Sequence, residues 1–392
     1  MLNISLIKFI FVLIILNSFI FAQDPILQGL DNPDPEVRLN TLFEIQSQML
    51  LQYGEELEWR MFEQPEPYII DEYMRTLSGI NYENNESIAL NLIDFADKFP
   101  SMNPPGDPLR TRVFATYVLI NQYENYSSIQ YALEILNRDF PHVMPEAQII
   151  MAKGLTVPEY FEESKDALIS MINNCPDVMT RAYSLSALED GIGSQSINIV
   201  TENFQNDEDQ AIRFLCFKFL IELNYGNLNT LLKSRLSEEP FVGLRLNIAD
   251  TLLSKFGEPS DVKAIRDYQP NEPEEAARRI LDYHIYDFIP PRPEIPTTDM
   301  IQNLFQYIDE LYQYEWIGEE THYQEYLGMV ERIESSYQSG NLEDICRDLT
   351  TYLDYVEHNN YRPALTVEGY KFLHYHGTYI KENVENELGS CE

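Results

Sequence analysis

The sequence predicts an all-α protein in which stacked helical hairpins are followed by a small helical bundle. One observation is a set of positions, mostly arginines, that recurs every 32 to 37 residues in the first three quarters of the chain. A period in the thirties is typical of helical-hairpin repeats. A second observation is a proline-rich stretch at residues 289–296, after which four amphipathic segments follow. We therefore expect a repeat region over residues 24–288, a linker over 289–296 and a four-helix accessory domain over 297–392.

The recurring position is usually an Arg four residues after an acid. The acid–Arg pairs are Asp34/Arg38, Asp71/Arg75, Asp177/Arg181, Asp209/Arg213 and Glu274/Arg278. Three more positions fit the rhythm without that acid: Arg112, Gln148 and Arg245. Spacings through the eight positions are 37, 37, 36, 33, 32, 32 and 33. This regularity indicates one register for the whole region.

The unit around Arg213 shows two helices per repeat. An apolar stripe at helical spacing runs from Ile212 to Leu223, a turn follows at 224–227, and a second stripe runs from Leu228 to Leu236. This pattern predicts two amphipathic helices with a break between them. Because neither helix can bury its stripe alone, neighbouring units must stack into a continuous core.

The acid and the Arg of each pair have a structural interpretation. Asp34 stands directly before Pro35, where it can cap free amide groups at a helix start. The Arg one turn later can pair with that acid or reach the acid of the next unit. The first alternative is an ordinary surface pair worth about 0.3–0.5 kcal/mol. Five occurrences in register favour a ladder between units, and neither alternative makes these residues catalytic.

A resemblance to HEAT repeats rests on residues 177–188. Their Asp-x-x-x-Arg, followed by an Ala- and Leu-rich helix, resembles the second helix of HEAT repeats, closest to the short bacterial type also seen in phycobilin-lyase-like proteins. The resemblance covers about residues 26–290. It implies a right-handed α-solenoid that serves mainly as a binding scaffold. It does not imply lyase activity, because the shared motif is the structural one.

The C-terminal segment carries a second resemblance. Four prolines in residues 289–296 predict a stiff linker. A helix then opens at Thr297 or Thr298, and three more are predicted over 323–337, 342–357 and 366–386. The order of a Trp316-Ile turn, a Gly340-Asn341 helix start, a helix ending near Val356 and a Leu365-Thr start resembles the FIMAH-type helical domain of secreted bacterial proteins. That resemblance implies an accessory or surface-associated role.

The N-terminus predicts export. Residues 1–22 contain no acid, one Lys (Lys8), an apolar core and the small residue Ala22 at the expected cleavage site. This pattern is typical of a secretory signal, and the alternative is an uncleaved anchor. We therefore expect the mature protein in the periplasm or outside the cell.

The charge bounds the partners. The chain has 64 acidic and 27 basic residues, and its net charge is −37. Such a charge argues against nucleic acid and against anionic membrane surfaces. A protein partner of unknown identity remains, with a basic, neutral or cation-bridged surface. Weak Ca²⁺ binding stays open, although the acid clusters at 31–34 and 207–209 lack the length or glycine of a calcium loop.

The sequence predicts no catalytic residue, no metal site and no cofactor. His374 and His376 are two residues apart, so on a helix they point about 200° apart and suit one metal poorly. We expect a non-catalytic scaffold that binds its partner through the solenoid surface. The alternatives are a polysaccharide-active hydrolase or lyase on a solenoid frame and a cation-dependent surface module. Carboxylates that converge in a buried groove with raised pKa values would favour the enzyme.

The cysteines give two further expectations. Cys175 and Cys216 differ by nine residues in repeat register, about 13 Å of helix rise. A disulfide needs Cα atoms within about 7 Å, so we expect no bond between them. Cys391 could reach Cys346, and for this pair both a disulfide and free thiols remain open.

Overall fold

The computed structural model describes residues 24–64, 66–96, 107–138, 145–360 and 364–391. The predicted signal at 1–22, with its cleavage site Ala22, lies outside the described residues. In the described part of the chain, no helix is both long and apolar enough to cross a bilayer. Helices account for nearly all of the regular structure there, and an isolated antiparallel bridge joins Ile317 to Leu365. The all-α prediction is confirmed.

Contacts divide the chain into two compact units, Met1–Phe204 and Gln205–Glu392. The division falls before the linker, so residues 205–288 share a unit with the last four helices. The described helices of the first unit are α1 Pro25–Leu30, α2 Pro35–Ser47, α3 Gly54–Met61, α4 Pro67–Gly79, α5 Asn85–Phe95, α6 Pro108–Tyr123, α7 Gln130–Arg138, α8 Pro145–Gly154, α9 Phe161–Asn174 and α10 Val178–Ile192.

Helix α11, Ile197–Asn206, spans the division between the units. The remaining helices are α12 Gln210–Glu222, α13 Leu228–Glu238, α14 Val242–Thr251, α15 Pro259–Tyr268, α16 Glu275–Asp287, α17 Thr297–Gln313, α18 Glu320–Ser339, α19 Leu342–His358 and α20 Val367–Leu388. The four predicted C-terminal helices are therefore present, each within a few residues of its expected bounds.

Aspartates cap several of these helices. The side chain of Asp34 accepts a hydrogen bond from the backbone N–H of Glu36, and Asp209 does the same for Ala211. Asp177 accepts from the N–H of Thr180. Each bond satisfies an amide that has no partner within its helix, and such caps contribute about 1 kcal/mol each.

Alternate helices contact one another in the first unit. Helix α2 contacts α4, α4 contacts α6, α6 contacts α8, and α8 contacts α10. Helices between them pack on these pairs, for example α5 on α6 and α9 on α10. Fully buried side chains such as Leu42, Ile45 and Tyr73 fill the space between the helices at the start of this unit. This order of contacts is expected when hairpin units bury their apolar stripes against their neighbours.

The second unit continues the alternation and then changes. Helix α13 contacts α15, and α14 contacts α16. The last four helices instead form a closed ring of contacts, α17 with α18, α18 with α19, α19 with α20, and α20 with α17. Their core is aromatic, with Tyr326, Tyr352 and Phe372 fully buried. Arg266 of α15 donates to Glu368 of α20 at 2.7 Å, which ties residues 205–288 to the last helices.

A π-helical turn follows α14 and meets the linker. Residues Leu252–Phe256 form this turn, and Gly257 ends it with a φ of 65°. A Cβ at Gly257 would lie 2.3 Å from Cδ of Pro291. Glycine is therefore required here both by its backbone conformation and by the close approach of the linker.

One disulfide closes the C-terminal tail. Cys346 of α19 is bonded to Cys391, with Cα atoms 5.3 Å apart. Of the two outcomes that the sequence left open for this pair, the structure therefore has the bonded one. Cys175 and Cys216 are buried and take part in no disulfide, so the expected absence of a bond between them agrees with the structure.

Removing this disulfide should destabilise the last four helices. The bond links residues 45 positions apart, and closing a loop of that size removes unfolded-state entropy worth about 4 kcal/mol. Urea unfolding of a Cys346→Ser/Cys391→Ser variant, followed by Trp316 fluorescence in a Trp59→Phe background, should show a loss approaching that size. Reductant should lower the stability of the parent and leave the double-serine variant unchanged. An unchanged urea midpoint would contradict the expectation.

Candidate functional site

Five of the recurring arginines occupy one position in alternate helices. The fourth residue of the helix is Arg in α2, α10, α12, α14 and α16, namely Arg38, Arg181, Arg213, Arg245 and Arg278. In α4, α6 and α8 the same position holds Ile70, Thr111 and Gln148. The predicted register therefore differs in two units, because Arg75 is the ninth residue of α4 and Arg112 the fifth of α6. The chain between α4 and α6 is longer than in the other units, so a period counted on arginines slips there.

Arg213 shows what this position does. Its Nη1 donates to the carbonyl oxygens of Asp207 and Glu208, at 2.9 and 3.0 Å. Its Nε and Nη2 donate to Oε2 and Oε1 of Glu239, at 2.9 and 2.7 Å. One guanidinium therefore holds the loop before its own helix, α12, and the acid that precedes α14. We call this arrangement a rung.

Arg245 repeats the arrangement 32 residues further along the chain. Its Nη1 donates to the carbonyl oxygens of Glu239 and Pro240, at 2.9 and 2.8 Å. Its Nε and Nη2 donate to Oε2 and Oε1 of Glu272, at 2.8 and 2.7 Å. Glu239 belongs to both rungs, because its carboxylate binds Arg213 and its carbonyl binds Arg245. The two rungs are therefore continuous.

A third rung lies near the start of the compact unit Met1–Phe204, at Arg38. Arg38 Nη1 donates to the carbonyl oxygens of Asn32 and Pro33, at 2.7 and 3.1 Å. Its Nη2 donates to Oε2 of Glu66 at 2.5 Å. Gln148, at the same position of α8, links α8 to α10 without an acid. Its Nε2 donates to the carbonyl oxygen of Thr180 at 2.9 Å.

The acids of the rungs are not the acids that the sequence pattern singled out. Glu66, Glu239 and Glu272 follow their arginines by 28, 26 and 27 residues. They stand just before α4, α14 and α16, in each case the second helix after that of the Arg. The predicted acids Asp34, Asp177 and Asp209 cap helices instead, and Glu274 is the N-cap residue of α16 without a side-chain cap bond. A Glu 26 to 28 residues after Arg38, Arg213 and Arg245 is the signal that could have identified them.

The carboxylates of Glu239 and Glu272 have lowered pKa values although both side chains are buried. Burial by itself would raise the pKa of Glu239, but hydrogen bonds from Arg213 and from a backbone N–H bring it below its usual value. Glu272 behaves in the same way with Arg245, so its pKa is also lowered. The hydroxyl of Tyr268 donates to Glu272 at 2.8 Å, and burial together with that carboxylate raises the pKa of Tyr268 to about 12. Their geometry is that of satisfied structural pairs.

Asp71 and Arg75 do not start a helix. They are the fifth and ninth residues of α4, so the expected capping role is wrong for Asp71. Asp71 is hydrogen-bonded to Thr111 of α6, and burial raises its pKa to about 7. Arg75 contacts Glu146 of α8 at 3.6 Å. The pair therefore lies in a polar cluster that joins three alternate helices.

A groove of about 790 Å³ lies over the last complete rung. It is lined by the buried Glu239 and Arg245, which belong to consecutive rungs, and by Tyr268, Lys233 and Asp267 among others. The rung keeps its own charges satisfied. The groups left for a ligand are therefore mainly those of the exposed rim.

Three carboxylates converge where α13, α15 and α17 meet in the second unit. Asp261 is fully buried and pairs with Lys233 at 2.8 Å. Burial raises the pKa of Glu258 and of Glu310, and the charge of Asp261 adds to the effect on both. None of the four grooves described in this unit is lined by these carboxylates. A ligand held in those grooves would therefore not contact them.

The histidine pair belongs to the packing of α20. His376 is buried beside Tyr307 and Phe372, and burial lowers its pKa to about 4. His374 stacks on Tyr370, and its Nδ1 lies 3.1 Å from Oε1 of Glu357. Within the residues that the structure describes, no group of three or more His, Cys, Asp or Glu is placed to hold a metal ion.

Breaking a rung should cost far more than breaking an exposed pair. Arg245→Ala leaves Glu272 buried without its partner, so we expect a loss of about 3–5 kcal/mol in the free energy of unfolding. The control is Arg279→Ala on α16, whose pair with Glu275 is exposed and should contribute under about 1 kcal/mol. An Arg245→Met/Glu272→Leu variant should recover much of the loss, since no buried charge is left. Urea unfolding measures all three, and equal losses for the two alanine variants would contradict the rung.

Asp71 should make the first unit less stable as the pH rises. A folded pKa of about 7 lies above the ordinary value of 3.8. The protonated carboxyl therefore contributes stability below pH 3.8 that is lost as the pH passes through about 7. At about 1.4 kcal/mol per pKa unit, the contribution is about 4 kcal/mol.

Urea unfolding followed by circular dichroism can test this pH dependence. Asp71→Asn should match the parent in acid and exceed its stability by that amount near pH 8. The exposed Asp94→Asn is the control and should follow the parent at every pH. A parallel pH profile for Asp71→Asn would contradict the assignment.

The described residues form Arg–Glu rungs, a polar groove that residues of two rungs line, and a separate carboxylate cluster around the buried Asp261. No family model matches the chain, and no curated protein or solved structure is significantly similar to it.

Proposed function

We propose that this protein is an exported, non-catalytic scaffold of the HEAT type that binds a protein partner through the surface of its repeats. In this proposal a right-handed α-solenoid precedes a FIMAH-like helical accessory domain. The observation that carries it is the rung, which recurs with the same four acceptor positions at Arg213 and Arg245 and in a reduced form at Arg38. In a stacked repeat protein each repeat contacts its neighbours in the same way, so one contact that recurs in alternate helices supports this architecture.

The rungs also explain which groups are left for recognition. They use the buried arginines and glutamates to fix loops, so these charges are not free to bind a ligand. Exposed aromatic side chains remain on the repeat helices, including Phe43 on α2, Tyr68 on α4 and Tyr183 on α10. Large exposed side chains of this kind commonly provide the main contacts of protein interfaces.

Export has one structural support. The Cys346–Cys391 disulfide is of the kind that forms and persists in oxidising compartments, such as the periplasm or the cell exterior. It agrees with the signal predicted at residues 1–22.

The carboxylate cluster gives the enzyme alternative its one specific observation. Glu258 and Glu310 have raised pKa values, as a general acid would. Their position away from the described grooves favours a structural role. A polysaccharide-active enzyme remains the second candidate. Incubation of the protein with a panel of glycans tests it, with Glu258→Gln as the variant that should abolish any depolymerisation.

Site-specific photo-crosslinking can test the scaffold. Benzoylphenylalanine is placed singly at Phe43, Tyr183 or Tyr283 on repeat helices, and at the exposed Leu388 of α20 as the control. The full mature chain is exposed to periplasmic extract or culture supernatant of its source and irradiated. We expect one protein to be captured repeatedly from the repeat positions and not from Leu388. Capture only from Leu388, or glycan depolymerisation without any captured protein, would contradict the proposal.

A further inference from the structure

One face of α16 carries an unusual concentration of exposed apolar side chains. Ile280, Tyr283, Tyr286 and the following Ile289 are all exposed within ten residues, and Tyr283 and Tyr286 are 69% and 68% exposed. Contiguous exposed apolar surface with a polar rim marks interaction sites more often than isolated exposed residues do. This segment is therefore a candidate interaction site.

A groove of about 350 Å³ lies beside these side chains. It is lined by Leu253 and Ser254 of the π-helical turn, by Tyr283 and Phe288 of the α16 segment, and by Pro291 of the linker. π-Helical turns are rare and occur frequently at functional sites. The groove therefore combines an irregular helix end, an apolar floor and an exposed tyrosine ring.

The rim of this groove is acidic. Asp250 and Asp287 both line it. The basic groups nearby are His284, whose Nδ1 lies 3.7 Å from Oδ1 of Asp250, and Lys371, whose charge interacts with Asp287. Lys371 is held elsewhere, because its Nζ donates to the carbonyl oxygens of Ile285 and Tyr286. The fixed charge that faces a ligand is therefore mainly that of the two aspartates.

One tyrosine of α16 already contacts a cation of this chain. Lys371 Nζ lies 5.7 Å from the centre of the Tyr286 ring, within the range of a cation–π contact. The Tyr283 ring, one turn earlier, has no ring, cation or hydrogen-bond partner among the residues that the structure describes. It is therefore available for the same contact with a cation from outside.

We propose that this surface, the α16 face (Asp250, Ile280, Tyr283, Asp287 and Ile289), binds a basic amphipathic segment of a partner protein. A Lys or Arg of the segment lies against Tyr283 between the two aspartates, and its apolar residues cover Ile280 and Ile289. The chain's net charge of −37 attracts such a segment and repels acidic ones. The inference rests on the proposed scaffold function and specifies the chemistry of its partner.

Fluorescence anisotropy with a defined probe tests the α16 face. The probe is a labelled amphipathic helical peptide of Leu and Lys, titrated with the full mature chain at physiological ionic strength. Because one cation–π contact or one desolvated charge pair is worth about tenfold in affinity, Tyr283→Ala and Asp250→Asn/Asp287→Asn should each weaken binding about tenfold. Tyr283→Phe should bind like the parent, because the ring is retained.

Matched controls separate this site from diffuse attraction. Tyr68→Ala and Asp94→Asn change an exposed tyrosine and an exposed aspartate of the first unit, and both should bind within about twofold of the parent. A peptide with Glu in place of Lys should not bind. Circular dichroism confirms that each variant is folded.

Two outcomes would overturn the inference. If Tyr283→Ala and the double aspartate variant bind as tightly as the two controls, the peptide is held by net charge and not by the α16 face. If the Glu peptide binds as well as the Lys peptide, the partner is not basic. Either result leaves the scaffold proposal standing, because photo-crosslinking at Phe43 and Tyr183 tests that proposal separately.

Discussion

The buried bidentate pair between Arg and the Glu of the following unit is the interaction on which the repeat structure depends. A guanidinium offers five N–H donors in a rigid plane. Arg245 donates four hydrogen bonds, two to carbonyl oxygens and two to one carboxylate. Loop carbonyls at a helix start have no partner within the helix. The rung satisfies them and neutralises a buried charge at the same time, so it fixes the distance between successive units.

This use of charge changes the meaning of the acidic composition. Some acids cap helices, as Asp34 and Asp209 do, and others are buried in rungs, as Glu239 and Glu272 are. These acids are unavailable to a partner. What remains exposed is uneven, and on α16 it coincides with an apolar surface and a groove. The net charge therefore limits the class of partner, while the local arrangement of carboxylates and rings limits where it could bind.

Carboxyl groups with raised pKa values have a structural explanation in both compact units. Asp71 lies in the middle of α4, which packs against α2 and α6. Glu258 and Glu310 lie beside Asp261, and the positive charge of Lys233 is nearby. Desolvation by packed neighbours and a nearby like charge raise a carboxyl pKa whether or not a substrate is present. Access to a groove is what separates a catalytic acid from a structural one, and the carboxylates of this cluster line none of the grooves described.

The sequence by itself determined the all-α class, the two-helix unit, the caps at Asp34, Asp177 and Asp209, and the four C-terminal helices. These follow from local causes, namely apolar periodicity, side-chain caps and proline. Only the tertiary structure decided that Ile70 and Thr111 take the rung position, that Glu66, Glu239 and Glu272 receive the arginines, and that Cys346 joins Cys391. Each of these is a contact between residues 26 or more positions apart or a register shift caused by a longer connection, and neither is encoded in a local pattern.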